Sequence, residues 1–365
     1  MRRPLDLFTL FLFLVLHQSP THLWAEDKPI PDGIPVARAA DFIHAVIEAS
    51  RAVYSQYIVE RLGESIGLKS GEHWKEEKIL PLPAQFLSQS AQISSRSGIG
   101  MSYRLMSLWP INPTNAPRND FEKNGLEGVA KNPNRPHTGI VEANGLRYFQ
   151  AVYPDLAVTK SCVRCHNSHA KSPKKDFKHG DVMGGILITL PLGQGDNKEQ
   201  GMLSPEVVAD YVHSVLEADR TVYAKFVVDR LQAANVIYAS EHWWEENTLL
   251  LPAQFLLNAS DLIKNSRSGL DFRLISQWPI NEHNGPANEF ERTGIESVAA
   301  HPLRPYIAKT KVGSNSYFQA IYPDLAVTPS CASCHNAHPK SPKHDFKLND
   351  VMGGIVVTLP LNPAK

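Results

Sequence analysis

Apolar residues recur at helical spacing from Ala40 to Leu62, with Ile43, Ile47, Tyr54 and Ile58 along one side and Val46, Val53 and Tyr57 beside them. The spacing predicts one long helix. Later in the chain the period changes. "LRYFQAVYP" (Leu146 to Pro154) and "VMGGILITLPL" (Val182 to Leu192) are short, branched and apolar, as strands are. Asn144-Gly145 ahead of the first run is a hairpin turn signal. At Ser204 the helical period returns, with Ser204 placed as an N-cap and Pro205 at the first helical position. A long helix followed by antiparallel strands predicts an α+β domain.

The same pattern is written twice. Setting His166 against His335 gives an offset of 335 − 166 = 169, and without a gap it pairs most of the chain. Arg51 and Tyr54 meet Arg220 and Tyr223, "LPAQFL" at Leu82 meets "LPAQFL" at Leu251, and "WPIN" at Trp109 meets "WPIN" at Trp278. "YFQAVYPDLAV" meets "YFQAIYPDLAV", and Gly313-Ser314 takes the place of the Asn-Gly turn. Solenoid repeats run to roughly 20 to 50 residues, so a unit this long is expected to be a complete domain with its own core. The polar, glycine-rich "GQGDNKEQG" from Gly193 to Gly201 reads as a linker. The expected division is a leader at 1–25, domains at 26–192 and 203–365, and a linker at 193–202.

The leader is expected because Arg2 and Arg3 precede an apolar stretch from Leu7 to Leu16, and Ala25 stands before Glu26. A stretch of ten residues at about 1.5 Å each is too short to cross a bilayer as a helix. No cysteine follows for a lipid anchor, and no other apolar run approaches about 18 residues. The mature chain is therefore expected to be exported, periplasmic or secreted, without a membrane span. Lysine plus arginine equals aspartate plus glutamate at 37 each, which gives no field to attract nucleic acid.

All 4 cysteines fall in two CxxCH pentapeptides, Cys162, Cys165, His166 and Cys331, Cys334, His335. Two thiols on one turn can form thioethers to the two vinyl groups of a haem, with the adjacent imidazole as axial ligand. Other readings stand beside this one. The two CxxC halves lie 331 − 162 = 169 residues apart, far from zinc-ribbon spacing. A local zinc site with His166 and His169 is cramped, and a disulfide within each pair leaves the histidines unexplained.

Histidines kept at the offset are His44/His213, His73/His242, His166/His335 and His169/His338. His169, three residues after His166, shares its helical face and is expected to be a hydrogen-bonding neighbour. His44, spaced with Glu48 and Arg51, is expected on a polar, solvated or ion-paired stripe. His73 in "GEHWKEEK" and His242 in "SEHWWEEN" are the leading candidates for the other axial position. Met183 and Met352 are the thioether option, with a core role as the alternative. Arg51, Arg220, Arg104 and Arg273 are candidates to pair with haem propionates, and ordinary salt bridges account for them equally well. Trp109-Pro110 and Trp278-Pro279 read as structural.

Through "LPAQF", "WPINPTNAPRNDFE" and "CVRCHNSHAKSPKKDFKHGDVMGGI", each with its second copy, the chain resembles the PAS-like haem c domain family. That family occurs as small exported cytochromes and as the input domain of sensor kinases. The resemblance implies, for each repeat, an antiparallel PAS-like sheet with flanking helices and one covalent haem c. It carries the attachment roles onto Cys162, Cys165, His166, Cys331, Cys334 and His335. A family member uses a cysteine opposite the proximal histidine, and this chain has no further cysteine for that position. The expected function is single-electron transfer by a dihaem c-type cytochrome to a redox partner protein, without enzymatic activity. The alternative is a haem-based redox or gas sensor acting through a separate partner, and peroxidase-like catalysis is a third class.

Overall fold

Asn144 and Gly145 both have positive φ, 53° and 73°, and so fold His137–Ala143 back on Leu146–Leu156 as the Asn-Gly signal requires. In this computed structural model, which describes residues 33–193, 201–266 and 268–362, the hairpin is one edge of a four-stranded antiparallel sheet. Val182–Leu192 pairs with Leu146–Leu156 on one side and Ser102–Met106 on the other. The second repeat copies this order with Asp271–Ile275, Val351–Pro360, Asn315–Leu325 and Tyr306–Val312. The leader and most of the linker lie outside the described residues.

Val182–Leu192 is buried without alternation from Met183 to Ile188 because both faces of the sheet are covered. Helix Asp120–Lys131 packs one face, where Met106, Leu126, Val129, Val152 and Leu187 form a cluster. The other face carries the long helix, Val36–Val53, which starts four residues earlier than its apolar period indicates. At Tyr54–Glu60 this helix widens to a π-helix before Arg61–Ser65, and Tyr223–Asp229 does the same. Ser204 caps the equivalent helix Pro205–Val222 by accepting from the Val207 N–H, with Pro205 at its first position. The architecture is α+β, a helix-covered antiparallel sheet in each repeat.

Each repeat has buried clusters of its own, and the two repeats also share packing. Helix Pro83–Ser95 of the first repeat packs on Pro205–Val222 of the second, and Val36–Val53 packs on Pro252–Lys264. Ile34–Pro35 pairs with Met202–Leu203 across the repeats. Four rings cross the seam in a row: Tyr54 stacks on Phe86 at 4.4 Å, Phe86 meets Phe255 at 5.7 Å, and Phe255 stacks on Tyr223 at 4.5 Å. The reason lies in the width of the first helix, whose buried positions include Phe42, Ile43, Val46, Ile47, Ala49 and Val53. So wide an apolar arc is more than one sheet covers, and the other repeat supplies the remainder. Among the described residues no helix is long and apolar enough to cross a membrane.

Candidate functional site

Each CxxCH lies on a short helix, Lys160–Ser168 or Pro329–Ala337. Thr159 starts the first by accepting from the Cys162 N–H at 3.2 Å, and Thr328 does the same for Cys331 at 3.4 Å. Cys162 and Cys165, three residues apart on this helix, are free thiols, as are Cys331 and Cys334. Burial, then Cys162 and Glu72, pushes the Cys165 thiol up, so it is held protonated. The His166 ring meets Phe177 edge-on at 5.9 Å, and its Nδ1 is buried without a partner. Burial, His169 and Arg51 all lower the His166 pKa, which favours the neutral imidazole that a metal requires. His335 has the same relation to Phe346.

Phe177 is held from two sides. Asn167 Nδ2 donates to its carbonyl at 2.9 Å and Asn167 Oδ1 accepts from its N–H at 3.0 Å. Trp109 packs against it edge-on at 5.7 Å. Ala157, Phe177 and Met183 are buried together with Trp109, Cys162 and Val163 around them. These contacts account for the structural reading of Trp109 and the core reading of Met183. Gly184 is forced by proximity: a Cβ there would lie 2.4 Å from the Met106 carbonyl oxygen.

A cavity of about 780 Å³ opens beside the first attachment helix, lined by Cys162, Cys165 and His166, by Trp109 and Met183, and by His73 from the facing loop. His73 is exposed, in the turns after Ser70–Gly71, as is His242 in the second repeat. The neighbouring Glu72 ties the loop to the attachment helix, its carboxylate 3.7 Å from His169 Nε2, and Glu241 stands 2.8 Å from His338 Nε2. His169 Nδ1 accepts from the Lys171 N–H at 3.2 Å, so this histidine is a hydrogen-bonding neighbour. Gln85 of "LPAQF" bonds the Glu72 carbonyl at 2.8 Å while its own Oε1 accepts from the Leu82 N–H at 3.0 Å. Among the described residues no group of three or more His, Cys, Asp or Glu is arranged to hold a metal ion by itself.

Arg51 lines the cavity, but its guanidinium already pairs with Asp155 and donates to the Leu156 carbonyl at 3.0 Å. Arg220 is held likewise by Asp324 and the Leu325 carbonyl at 2.8 Å. Both carboxylates sit where the strand register slips, a bulge that turns the side chain toward the site. Arg104 and Arg273 point elsewhere. Arg104 pairs with Glu122, and Arg273 pairs with Glu291 at 3.2 Å, bracing the start of the sheet-covering helix. His44 lies 3.8 Å from Glu48, the i+4 partner its spacing indicated, but it is half-buried rather than solvated and stacks on Tyr153 at 4.0 Å, as His213 does on Tyr322 at 3.9 Å. Burial and then Arg51 lower its pKa to about 3, so it is neutral.

Asp155 and Ser55 are among the cavity residues that escaped the sequence reading. Asp155 was visible in the doubled "YPDLAV", whereas Ser55, a buried hydroxyl without a partner, has Ala224 at the paired position and left no signal.

No curated protein matches the chain. A family profile described as Tll0287-like matches it twice, over residues 35–191 and 199–360. The two matches follow the two repeats and take in each sheet and each attachment helix, and the chain therefore belongs to the Tll0287-like family.

Proposed function

We propose that the protein is an exported dihaem c-type cytochrome that passes single electrons between partner proteins. The observation that carries this reading is the attachment helix: two free thiols on one turn, the next imidazole with a lowered pKa, and an adjoining cavity of about 780 Å³. That volume falls within the range of roughly 300 to 1,000 Å³ usual for cofactor sites. The residues present fit a covalent haem c. Cys162 and Cys165 would hold it by thioethers and His166 would be an axial ligand, with Cys331, Cys334 and His335 in the same roles. A haem, when bound, supplies one-electron exchange at its iron. Trp109 and Met183 keep water from the apolar wall, and the Phe177 edge fixes the plane of the His166 ring. Arg51, neutralised by Asp155, is placed to act on a propionate only at the expense of that pair, so the buried pair itself is the better candidate for setting the local field. His73 and His242 are the paired histidines in the facing loops and remain the proposed second axial ligands.

A sensor of redox state or of a small gas is the second reading. It is favoured by the orphan hydroxyl of Ser55 at the cavity and by the exposure of His73, which suits an exchangeable ligand. Pyridine haemochrome analysis of the matured protein should give two haems c per chain, and one after Cys162→Ala with Cys165→Ala. A colourless protein overturns both readings. Carbon monoxide added to the ferrous protein separates them, since an electron carrier with two fixed axial ligands leaves the Soret band unmoved.

A further inference from the structure

The loop that faces the cavity, and its counterpart beside the second attachment helix, are each fastened by the other repeat. In the first repeat His73, Trp74, Lys75 and Glu76 line the cavity, and Trp74 is buried. Arg230, from the helix of the second repeat, donates Nη1 to the Glu77 carbonyl at 3.0 Å and Nη2 to the Ile79 carbonyl. Its guanidinium lies 5.1 Å from the Trp74 ring centre, its Nε is held by the Phe226 carbonyl at 2.9 Å, and Phe226 packs on Trp74 at 5.5 Å. Arg61 repeats the arrangement in the opposite direction. It donates to the Trp243 carbonyl at 3.1 Å and to the Thr248 carbonyl, lies 4.8 Å over Trp243, and is fixed by the Tyr57 carbonyl at 2.9 Å. A planar fork with five donors satisfies three carbonyls and stacks on a ring at once, which an ammonium cannot do.

We propose that Arg230 and Arg61 are positioning residues acting across the repeats, each fixing the loop that faces the other repeat's site. The first cavity is lined by its own repeat alone, so the opposite repeat reaches it only through the loop it fastens. The spectroscopic part of this inference rests on the haem reading above; the mechanical part does not.

The test compares Arg230→Gln with Arg61→Gln in the full chain by hydrogen exchange. Arg230→Gln should speed exchange across residues 72–79 by about tenfold or more and leave 241–248 unchanged, with Arg61→Gln doing the reverse. In a chain reduced to the first site by Cys331→Ala and Cys334→Ala, Arg230→Gln should shift the midpoint potential of the remaining haem, and Arg61→Gln should not. Arg230→Lys, which keeps the charge over Trp74, should restore part of both effects. Unaltered exchange in both loops, or equal loosening of both loops by either variant, overturns the proposal. Should the chain carry no haem, the exchange result decides alone.

Discussion

Asp219→Asn is expected to stabilise the protein at pH 8 and to change little near pH 4. Asp219 is 3% exposed on Pro205–Val222, where that helix meets the first repeat. Burial raises its pKa to about 7 against the opposing pull of Ser90 and Ser50. The two serines stand beside the carboxylate and favour its charged form, but they do not offset its burial, and the Tyr103 hydroxyl from the edge strand is buried without a partner. An unfolded aspartate titrates near 3.8. Between about pH 4 and pH 7 the folded chain keeps a proton that the unfolded chain has released, so stability declines as pH rises through that window. At about 1.4 kcal/mol per unit over roughly three units, the loss reaches about 4 kcal/mol and is complete above pH 7. Asparagine has the shape of the protonated acid and cannot ionise. Urea unfolding of both proteins at pH 4.5 and pH 8 therefore reads the group directly, because every other titration cancels in the difference. The variant should gain up to about 4 kcal/mol at pH 8. Equal differences at both pH values, or a loss at pH 8, would show that Asp219 is charged and satisfied in the folded protein and would refute the reasoning.

Two further substitutions probe the seam and the site wall. Phe86→Ala removes a ring that is 1% exposed between Tyr54 and Phe255, and should cost about 3 to 5 kcal/mol in chemical denaturation while loosening amide exchange in both repeats. Gly184→Ala places a methyl group 2.4 Å from a backbone oxygen that no side-chain motion can relieve, and should lower stability by about 1 to 3 kcal/mol, read as a lower denaturation midpoint.

What the chain spelled plainly was local. Asn144-Gly145 dictated a hairpin, Ser204-Pro205 a helix start, and the branched run at Val182 a buried strand, and each stands where it was expected. Doubling at the 169 offset picked out Arg51, His73, Cys162, Cys165 and His166, which line one cavity. It selected equally for structural pairs, which is why Arg104 looked like a cofactor partner although its carboxylate is Glu122. Spacing placed His44 beside Glu48, where it stands, but a helix packed on two partners leaves little open polar stripe, and the ring also lies flat on Tyr153. An apolar arc tells how much surface must be covered and not by what, so the packing of helices across the repeats had no signature. Residues that differ between the copies, such as Ser55 opposite Ala224, were invisible to a filter built on sameness.

The row of rings across the seam has the form of a self-complementary homodimer contact, drawn inside a single polypeptide. A true homodimer must suffer every mutation twice; a fused pair is released from that bond. Ser90, Ser94, Tyr103 and Ser214 gather with Asp219 on one flank of the seam, while Ala259, Ile263, Phe272 and Ala45, the counterparts of the first four, leave the other apolar. Helices that match in sequence position are thus no longer interchangeable, because each would carry the wrong polarity into the other's slot.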